Sequence, residues 1–120
     1  MDSSSLSTVA MRVHHLDAMV AFYSEAFNIR FREVETSGIR SQFGELNGIT
    51  LKLVPIRDTV DFEDYPIHQL GLSVPDIEAV VSLAHQHGGR LEGDILREGN
   101  TVYAAVRDPD GNTLELYAER

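Results

Sequence analysis

The chain has 120 residues, 42% of them hydrophobic, and a formal net charge of −9, which fits one globular domain. It contains no cysteine, so disulfides, thiolate metal ligands and cysteine nucleophiles are excluded. The negative charge argues against nucleic acid and anionic membranes as partners, because both bind basic surfaces.

The N-terminal residues 1–7 are mostly polar and lack the basic and apolar segments of a signal peptide. We therefore expect a disordered lead-in, followed by a single domain over residues 8–120, and a cytoplasmic location. No apolar run approaches the roughly 18 residues of a transmembrane helix.

The first half of the chain reads as one strand, one helix and three strands. Alternating apolar residues predict strands over 8–14, 31–36, 39–46 and 49–56. Helical spacing of apolar residues predicts a helix that begins at Leu16, with His15 or Asp17 as its N-cap and Asn28 in the left-handed conformation at its end. Asn47-Gly48 is a strong hairpin signal between the last two strands.

The second half has the same order after an acidic, turn-prone connector at 57–66. Strands are predicted over 67–74, 90–97, 101–107 and 112–118. The helix between the first two of these strands has Asp76 as its N-cap and ends at Gly88-Gly89.

An internal repeat supports this division into halves. Val13 matches Val74 at an offset of 61 residues, and segment 47–53 matches segment 110–116 at an offset of 63. Two copies of a βαβββ unit predict an α+β fold of two tandem modules, module one over 8–56 and module two over 67–120. Each helix covers one face of its sheet, so the remaining faces form a curved cup suited to a small molecule.

The stretch 107–117 begins with a tight turn, because Asp-Pro-Asp-Gly presets the backbone angles of a turn and places Gly111 where φ is positive. In the strand that follows, leucines alternate with residues that face the cup, among them Glu115 and Tyr117. The position in module one that matches Glu115 holds Lys52, so a cation replaces the carboxylate.

The sequence resembles the vicinal oxygen chelate superfamily, which includes glyoxalase I, bleomycin-resistance proteins and extradiol dioxygenases. The resemblance lies in RVHHLDAMVAFY (12–23), GLSVPDIEAVV (71–81) and RDPDGNTLELY (107–117). It implies the paired-module cup and a homodimer, because many members of the superfamily complete their cups or bury sheet edges in this way.

The resemblance also implies a metal site at four cup positions, which correspond here to Thr8, Lys52, Gln69 and Glu115. Gln69 and Glu115 are suitable oxygen ligands, whereas Thr8 is a poor ligand and Lys52 repels a metal ion. We therefore expect no cofactor, with a divalent ion (Zn, Ni, Mn or Fe) bound by Gln69 and Glu115 as the alternative. A one-residue slip of the strand would bring His68 into the site instead of Gln69.

The remaining candidates are ligand-binding residues. We expect Lys52 to pair with Glu115 across the cup and so to substitute for the charge of a metal ion. Arg12 lies on the cup side, where it would favour a carboxylate or phosphate, although surface pairing is as compatible with its position. Tyr103 and Tyr117 either line the ligand pocket or only pack.

Two classes of function follow from these residues. The first is a protein of the bleomycin-resistance kind that binds a small molecule in the cup without a complete metal site. The second is a divalent-metal-dependent lyase, isomerase or dioxygenase in which Gln69 and Glu115 act with His68 or His15. Glu115 is the candidate catalytic residue in an enzyme. The cationic Lys52 in the cup favours the first class.

Overall fold

The computed structural model describes residues 4–56 and 68–119. The predicted connector at 57–66 lies outside these residues. The described elements in chain order are β1 (Thr8–Val13), α1 (Leu16–Phe27), β2 (Phe31–Thr36), β3 (Ile39–Leu46), β4 (Ile49–Pro55), β5 (Gln69–Ser73), α2 (Ile77–Gln86), β6 (Arg90–Glu98), β7 (Thr101–Arg107) and β8 (Thr113–Glu119). The predicted order, a βαβββ unit written twice, is confirmed.

The two modules have the same sheet topology. Module one forms a four-stranded sheet in the order β1-β4-β3-β2, and module two forms one in the order β5-β8-β7-β6. In each sheet the first and last strands of the module run parallel, and the other neighbours run antiparallel. The parallel pair requires a crossover, which the helix of each module supplies.

The ends of the helices follow local chemistry. Asn28 has φ 56° and ψ 38°, so the predicted left-handed end of α1 is confirmed. Asp76 accepts a hydrogen bond from the Ala79 N–H at 3.1 Å, which confirms the predicted N-cap of α2. His15, one of the two predicted N-cap residues, occupies the N-cap position of α1, and its side chain makes no capping hydrogen bond there.

One buried core joins the modules. The buried face of each helix packs on the alternate residues of its sheet, and the two helices also contact each other. The fully buried large side chains are Met11, Val13, Met19, Phe22, Tyr23, Leu53, Val106, Leu114 and Leu116. Their period of two in the strands and of about 3.6 in the helix is the pattern that predicted the elements.

The sheet face opposite the helices, called here the open face of each module, is accessible to solvent. In β8, for example, the buried residues alternate with half-buried Thr113, Glu115 and Tyr117 on the open face. No helix in the described part of the chain is long and apolar enough to cross a membrane.

Candidate functional site

The centre of the candidate site is the carboxylate of Glu115 on the open face of module two. Gln69 on β5 donates from Nε2 to Glu115 Oε1 at 2.6 Å. The hydroxyl of Tyr117, two residues further along β8, donates to the other oxygen, Oε2. Both oxygens therefore accept a hydrogen bond from a neutral donor, which orients the carboxylate and leaves its negative charge uncompensated.

Two tyrosines form the wall beside this carboxylate. Tyr103 on β7 lies directly opposite Tyr117 in the register of the sheet. Their rings meet edge to face, with centroids 5.6 Å apart and an interplanar angle of 83°. The hydrogen bond to Glu115 raises the pKa of the Tyr117 hydroxyl above its ordinary value of 10.0, because the nearby carboxylate disfavours a tyrosinate.

A cavity of about 460 Å³ lies over this wall. The other side of the cavity is formed by β6, where the register with β7 shifts between Glu92 and Leu96. Two extra residues there give β6 a bulge that contains Gly93, with φ 76°. The lining residues are Glu92, Gly93, Asp94, Leu96, Tyr103, Ala104, Ala105, Glu115, Leu116 and Tyr117.

The β6 side of this cavity was not predicted from the sequence. Segment 90–97 was predicted as a strand, and the side chains of the bulge were assigned no role. The signal that could have found them is Gly93 in the interior of a predicted strand, a position that often marks a bulge.

Module one places a different set of side chains on its open face. The Lys52 ammonium lies 4.9 Å from the centroid of the Phe43 ring, and the Arg32 guanidinium lies 5.7 Å from the same centroid. The expected ion pair between Lys52 and Glu115 is not formed within the described chain. That prediction was wrong for the isolated chain, because each side chain contacts partners in its own module.

The positions implied for a divalent metal do not supply a complete ligand set. Within residues 4–56 and 68–119, no three His, Asp or Glu side chains come together as a metal-binding group. Gln69 points its amide N–H group at Glu115, so the group that faces the carboxylate is a hydrogen-bond donor and not a metal-ligating oxygen. Thr8 and Lys52 provide one hydroxyl and one cation, so the residues do not fit the oxygen and nitrogen ligands that such an ion requires.

The strand register pairs Gln69 with Thr113 and Gly71 with Glu115, so Gln69 lies diagonal to Glu115 on the same face and reaches it through its side chain. His68 precedes β5, where its backbone N–H donates to Asn112 Oδ1 at 2.7 Å and its carbonyl accepts from the Thr113 N–H. His15 Nδ1 lies 2.9 Å from Asp110 Oδ1 at the junction of β1 and α1. Neither histidine lines the cavity, and neither does Arg12, which is exposed on β1 of module one.

The turn at 108–112 has a second role that the sequence did not predict. Asp108 is 3% exposed, and its carboxylate accepts hydrogen bonds from the backbone N–H groups of Asp110 and Asn112 and from the Asn112 amide. Tyr23 on α1 donates its hydroxyl to Asp108 Oδ2 at 2.7 Å, so the bond joins module one to module two. Burial raises the pKa of Asp108, and both burial and the nearby Asp108 raise the pKa of Tyr23.

Asp110 extends this link to the start of α1. Its Oδ2 accepts from the His14 backbone N–H at 2.7 Å, and its Oδ1 accepts from the His15 N–H at 3.2 Å. The turn therefore satisfies backbone donors at the beginning of the helix in the other module. We call Tyr23, Asp108, Asp110 and Asn112 the inter-module clamp.

Comparison with known proteins agrees with this architecture. Crystal structures that are similar include UcmS2 (21% identity, 97% of this chain and 98% of that chain covered, TM-score 0.77) and a domain from Frankia sp. EAN1pec described as glyoxylase/bleomycin resistance protein/dioxygenase (20%, 99% and 100%, TM-score 0.76). Lactoylglutathione lyase from Agrobacterium tumefaciens is 18% identical, with 98% of this chain and 96% of that chain covered and a TM-score of 0.68.

At these identities the structural likeness shows the fold alone. Among curated proteins no significant sequence match was found. The profile of the Glyoxalase/Bleomycin resistance protein/Dioxygenase superfamily matches residues 5–116, which is nearly the whole chain. The predicted resemblance and fold are confirmed, and the chain belongs to the glyoxalase/bleomycin resistance protein/dioxygenase superfamily.

Proposed function

We propose that this protein binds a small organic molecule against the open face of module two, without a complete divalent metal site. The observation that carries the proposal is the array of Gln69, Glu115 and Tyr117 on the wall of the cavity. A carboxylate held by two neutral donors is fixed in direction, yet it retains lone pairs for a ligand. The cavity volume of about 460 Å³ lies within the range of small-molecule sites.

Binding of this kind corresponds to the bleomycin-resistance branch of the superfamily, in which sequestration rather than chemistry is the function. If the bound molecule is a substrate, Glu115 is the candidate base, because neutral donors fix its orientation and, unlike Glu92, it is not paired with an arginine. Tyr103 and Tyr117 then supply the apolar contact area. Arg12 and Lys52, on module one, stay predictions as ligand-binding residues.

The alternative is a divalent-metal-dependent lyase, isomerase or dioxygenase that uses Gln69 and Glu115. What favours it is that these two oxygen-bearing side chains lie side by side on neighbouring strands. It needs further ligands, and His15 and His68 are placed elsewhere in this chain.

We also propose that the protein acts as a homodimer in the cytoplasm. The support for a dimer is that the open faces of both modules are accessible in one chain, and that strands β1 and β5 each pair with one neighbour. Sedimentation equilibrium of the purified protein tests this, and a mass of one chain at all concentrations would contradict it.

The metal question is tested by elemental analysis of tag-free protein, together with melting temperatures measured over a series of Zn, Ni, Mn, Fe and Mg concentrations. A ligand that binds the folded state raises the melting temperature in a concentration-dependent way. We expect substoichiometric metal and no such rise. Glu115→Ala is compared with Glu119→Ala, which removes a carboxylate from the same strand outside the array. Near-stoichiometric metal that is lost only in Glu115→Ala would overturn the proposal and establish the alternative.

A further inference from the structure

The cavity on module two is lined by carboxylates, and their charge indicates the class of ligand that it binds. Three carboxylates line it, those of Glu92, Asp94 and Glu115, and none of the described residues that line it is a lysine or an arginine. Arg107 pairs with Glu92 and offsets that charge, which leaves Asp94 and Glu115. Asp94 makes no ion pair within the described chain, and the partners of Glu115 are neutral.

The aromatic wall is an independent feature that favours the same ligand. Tyr103 and Tyr117 are held edge to face, and ring faces attract cations through their quadrupole. Leu96 at the bulge is 61% exposed, which is unusual for a large apolar side chain in this protein and provides area for an apolar body. The cavity therefore combines an apolar, aromatic surface with uncompensated negative charge.

We propose that the module-two cavity takes an organic cation: a molecule with an aromatic or apolar body that packs on Leu96 and Tyr103, and an amine or quaternary ammonium that faces Glu115 and Asp94. This inference rests on the proposed function and names the ligand class for the same site. It reverses the expectation drawn from Arg12, which favoured an anion, because Arg12 does not line the cavity.

Three probes with one phenyl skeleton and different charges test the proposal: phenethylammonium, 2-phenylethanol and 3-phenylpropanoate. Binding to the full chain is measured by NMR titration, with shifts followed at the backbone amides of residues 92–96, 103–105 and 115–117. We expect phenethylammonium to bind at least about fivefold more tightly than the alcohol, and the carboxylate to bind most weakly, because only the cation gains from the charge of the cavity.

The variants Glu115→Gln and Asp94→Asn remove one charge each without changing the side-chain shape. Each is expected to lower phenethylammonium affinity several-fold and to leave 2-phenylethanol affinity unchanged. Tyr103→Leu is expected to weaken binding of both. The matched control is Glu25→Gln, which removes one carboxylate from the exposed surface of α1 and should change neither affinity.

The outcomes separate the two proposals. Equal or tighter binding of the alcohol or the carboxylate at the same amides would overturn the cationic class and leave a small-molecule site in place. A preference for phenethylammonium that survives both charge-removing variants would overturn the roles of Glu115 and Asp94. Absence of shifts at these amides with all three probes, at concentrations up to tens of millimolar, would overturn both the ligand class and the proposed binding site.

Discussion

The two modules share one backbone plan and differ in the charge of their open faces. By strand register, the face of module one carries three cations and one carboxylate, and the face of module two carries two cations and four carboxylates. These residues are Arg12, Arg32, Lys52 and Glu45 in module one, and Arg90, Arg107, Glu92, Glu98, Glu115 and Glu119 in module two. The helix-facing positions of the parallel strand pairs, β1 with β4 and β5 with β8, are apolar in both modules because packing constrains them. The open faces have diverged in charge, and a ligand could bind there.

The turns before the last strands differ as well. In module one, Asn47 and Gly48 form a two-residue hairpin turn with φ of 49° and 83°, and both residues are exposed. In module two, five residues (108–112) lie between the paired residues Arg107 and Thr113, whereas four lie between the matching pair Glu45 and Thr50 in module one. Two of the five side chains, those of Asp108 and Asn112, are buried. One copy of the turn therefore only reverses the chain, whereas the other copy also fastens the modules together.

The largest effect is expected from breaking this clamp with Asp108→Ala. The substitution leaves the Tyr23 hydroxyl, two backbone N–H groups and the Asn112 amide without their acceptor in a buried site. Unsatisfied buried donors cost about 1–3 kcal/mol each and are partly rescued by water, so we expect a loss of about 3–5 kcal/mol in the free energy of unfolding. Urea denaturation at neutral pH measures it.

The matched control is Glu45→Ala, which removes the carboxylate nearest the corresponding turn of module one. Glu45 is exposed and accepts one hydrogen bond, from the Thr50 hydroxyl. Its removal is expected to change the free energy of unfolding by less than about 0.5 kcal/mol. If the two variants lose similar amounts, the turn of module two has no special role in stability.

This clamp marks a limit of what the sequence predicts. The Asp-Pro-Asp-Gly turn was recognisable, because its backbone chemistry is local. The bond from Tyr23 to Asp108 joins residues 85 positions apart, so it depends on how the modules pack and not on any short pattern. The apolar period predicted the helix that carries the buried Tyr23, and it could not show where the Tyr23 hydroxyl points.

The candidate site was likewise predicted only in part. Alternation fixed Glu115, Gln69 and Tyr117 on one face, and the structure brings these three together. The sequence could not show that Lys52 stays with Phe43 in its own module, since that contact depends on the register of β3 with β4. It also missed Asp94, because a bulge is a departure from the alternation on which the prediction rested.

The second-largest loss of stability is expected at Gly44 on β3, where the two modules fill their cores differently. Gly44 in module one stands close to Ile29 and Phe31, so a Cβ at residue 44 would overlap the Ile29 side chain and lie 2.9 Å from Phe31 Cε1. By sheet register the matching residue in module two is Val106, which is fully buried and fills the space itself. We expect Gly44→Ala to cost about 1–3 kcal/mol through overpacking, measured by thermal or urea unfolding.

Removal of the opposing methyl group sharpens this prediction. Combining Gly44→Ala with Ile29→Ala, which removes the Ile29 Cγ2 methyl that the new Cβ would overlap, is expected to restore part of the loss, so that the double variant is more stable than the sum of the two single changes predicts. Strict additivity in this double-mutant cycle would show that the two side chains do not compete for the same space.

A smaller effect is expected in the pH dependence of the clamp. Burial raises the pKa of Asp108 above its ordinary value of 3.8, so the folded chain binds this proton more tightly than the unfolded chain does. The associated stability is present at low pH and is lost as the pH rises from 3.8 through the raised pKa. The advantage of the wild type over Asp108→Asn should therefore shrink across this window, by up to about 1.4 kcal/mol for each pH unit that the window spans.

Urea unfolding at a series of pH values from acid to neutral measures this difference. Asp94→Asn serves as the control, because it removes one carboxylate from an exposed position on the β6 bulge. A difference between the wild type and Asp108→Asn that is constant with pH, or that grows toward neutral pH, would contradict the raised pKa.

The smallest effect on stability is expected where the modules differ most in charge. Lys52→Met removes a solvent-accessible contact between a cation and the Phe43 ring, worth about 0.5–1 kcal/mol, and Glu115→Met frees two donors that water can satisfy. Both variants should therefore unfold within about 1 kcal/mol of the wild type. Only Glu115→Met should lower phenethylammonium affinity several-fold, because Lys52 lies outside the cavity. A loss of more than about 2 kcal/mol in the free energy of unfolding of either variant would contradict this, because it would show that the replaced residue also stabilises the fold.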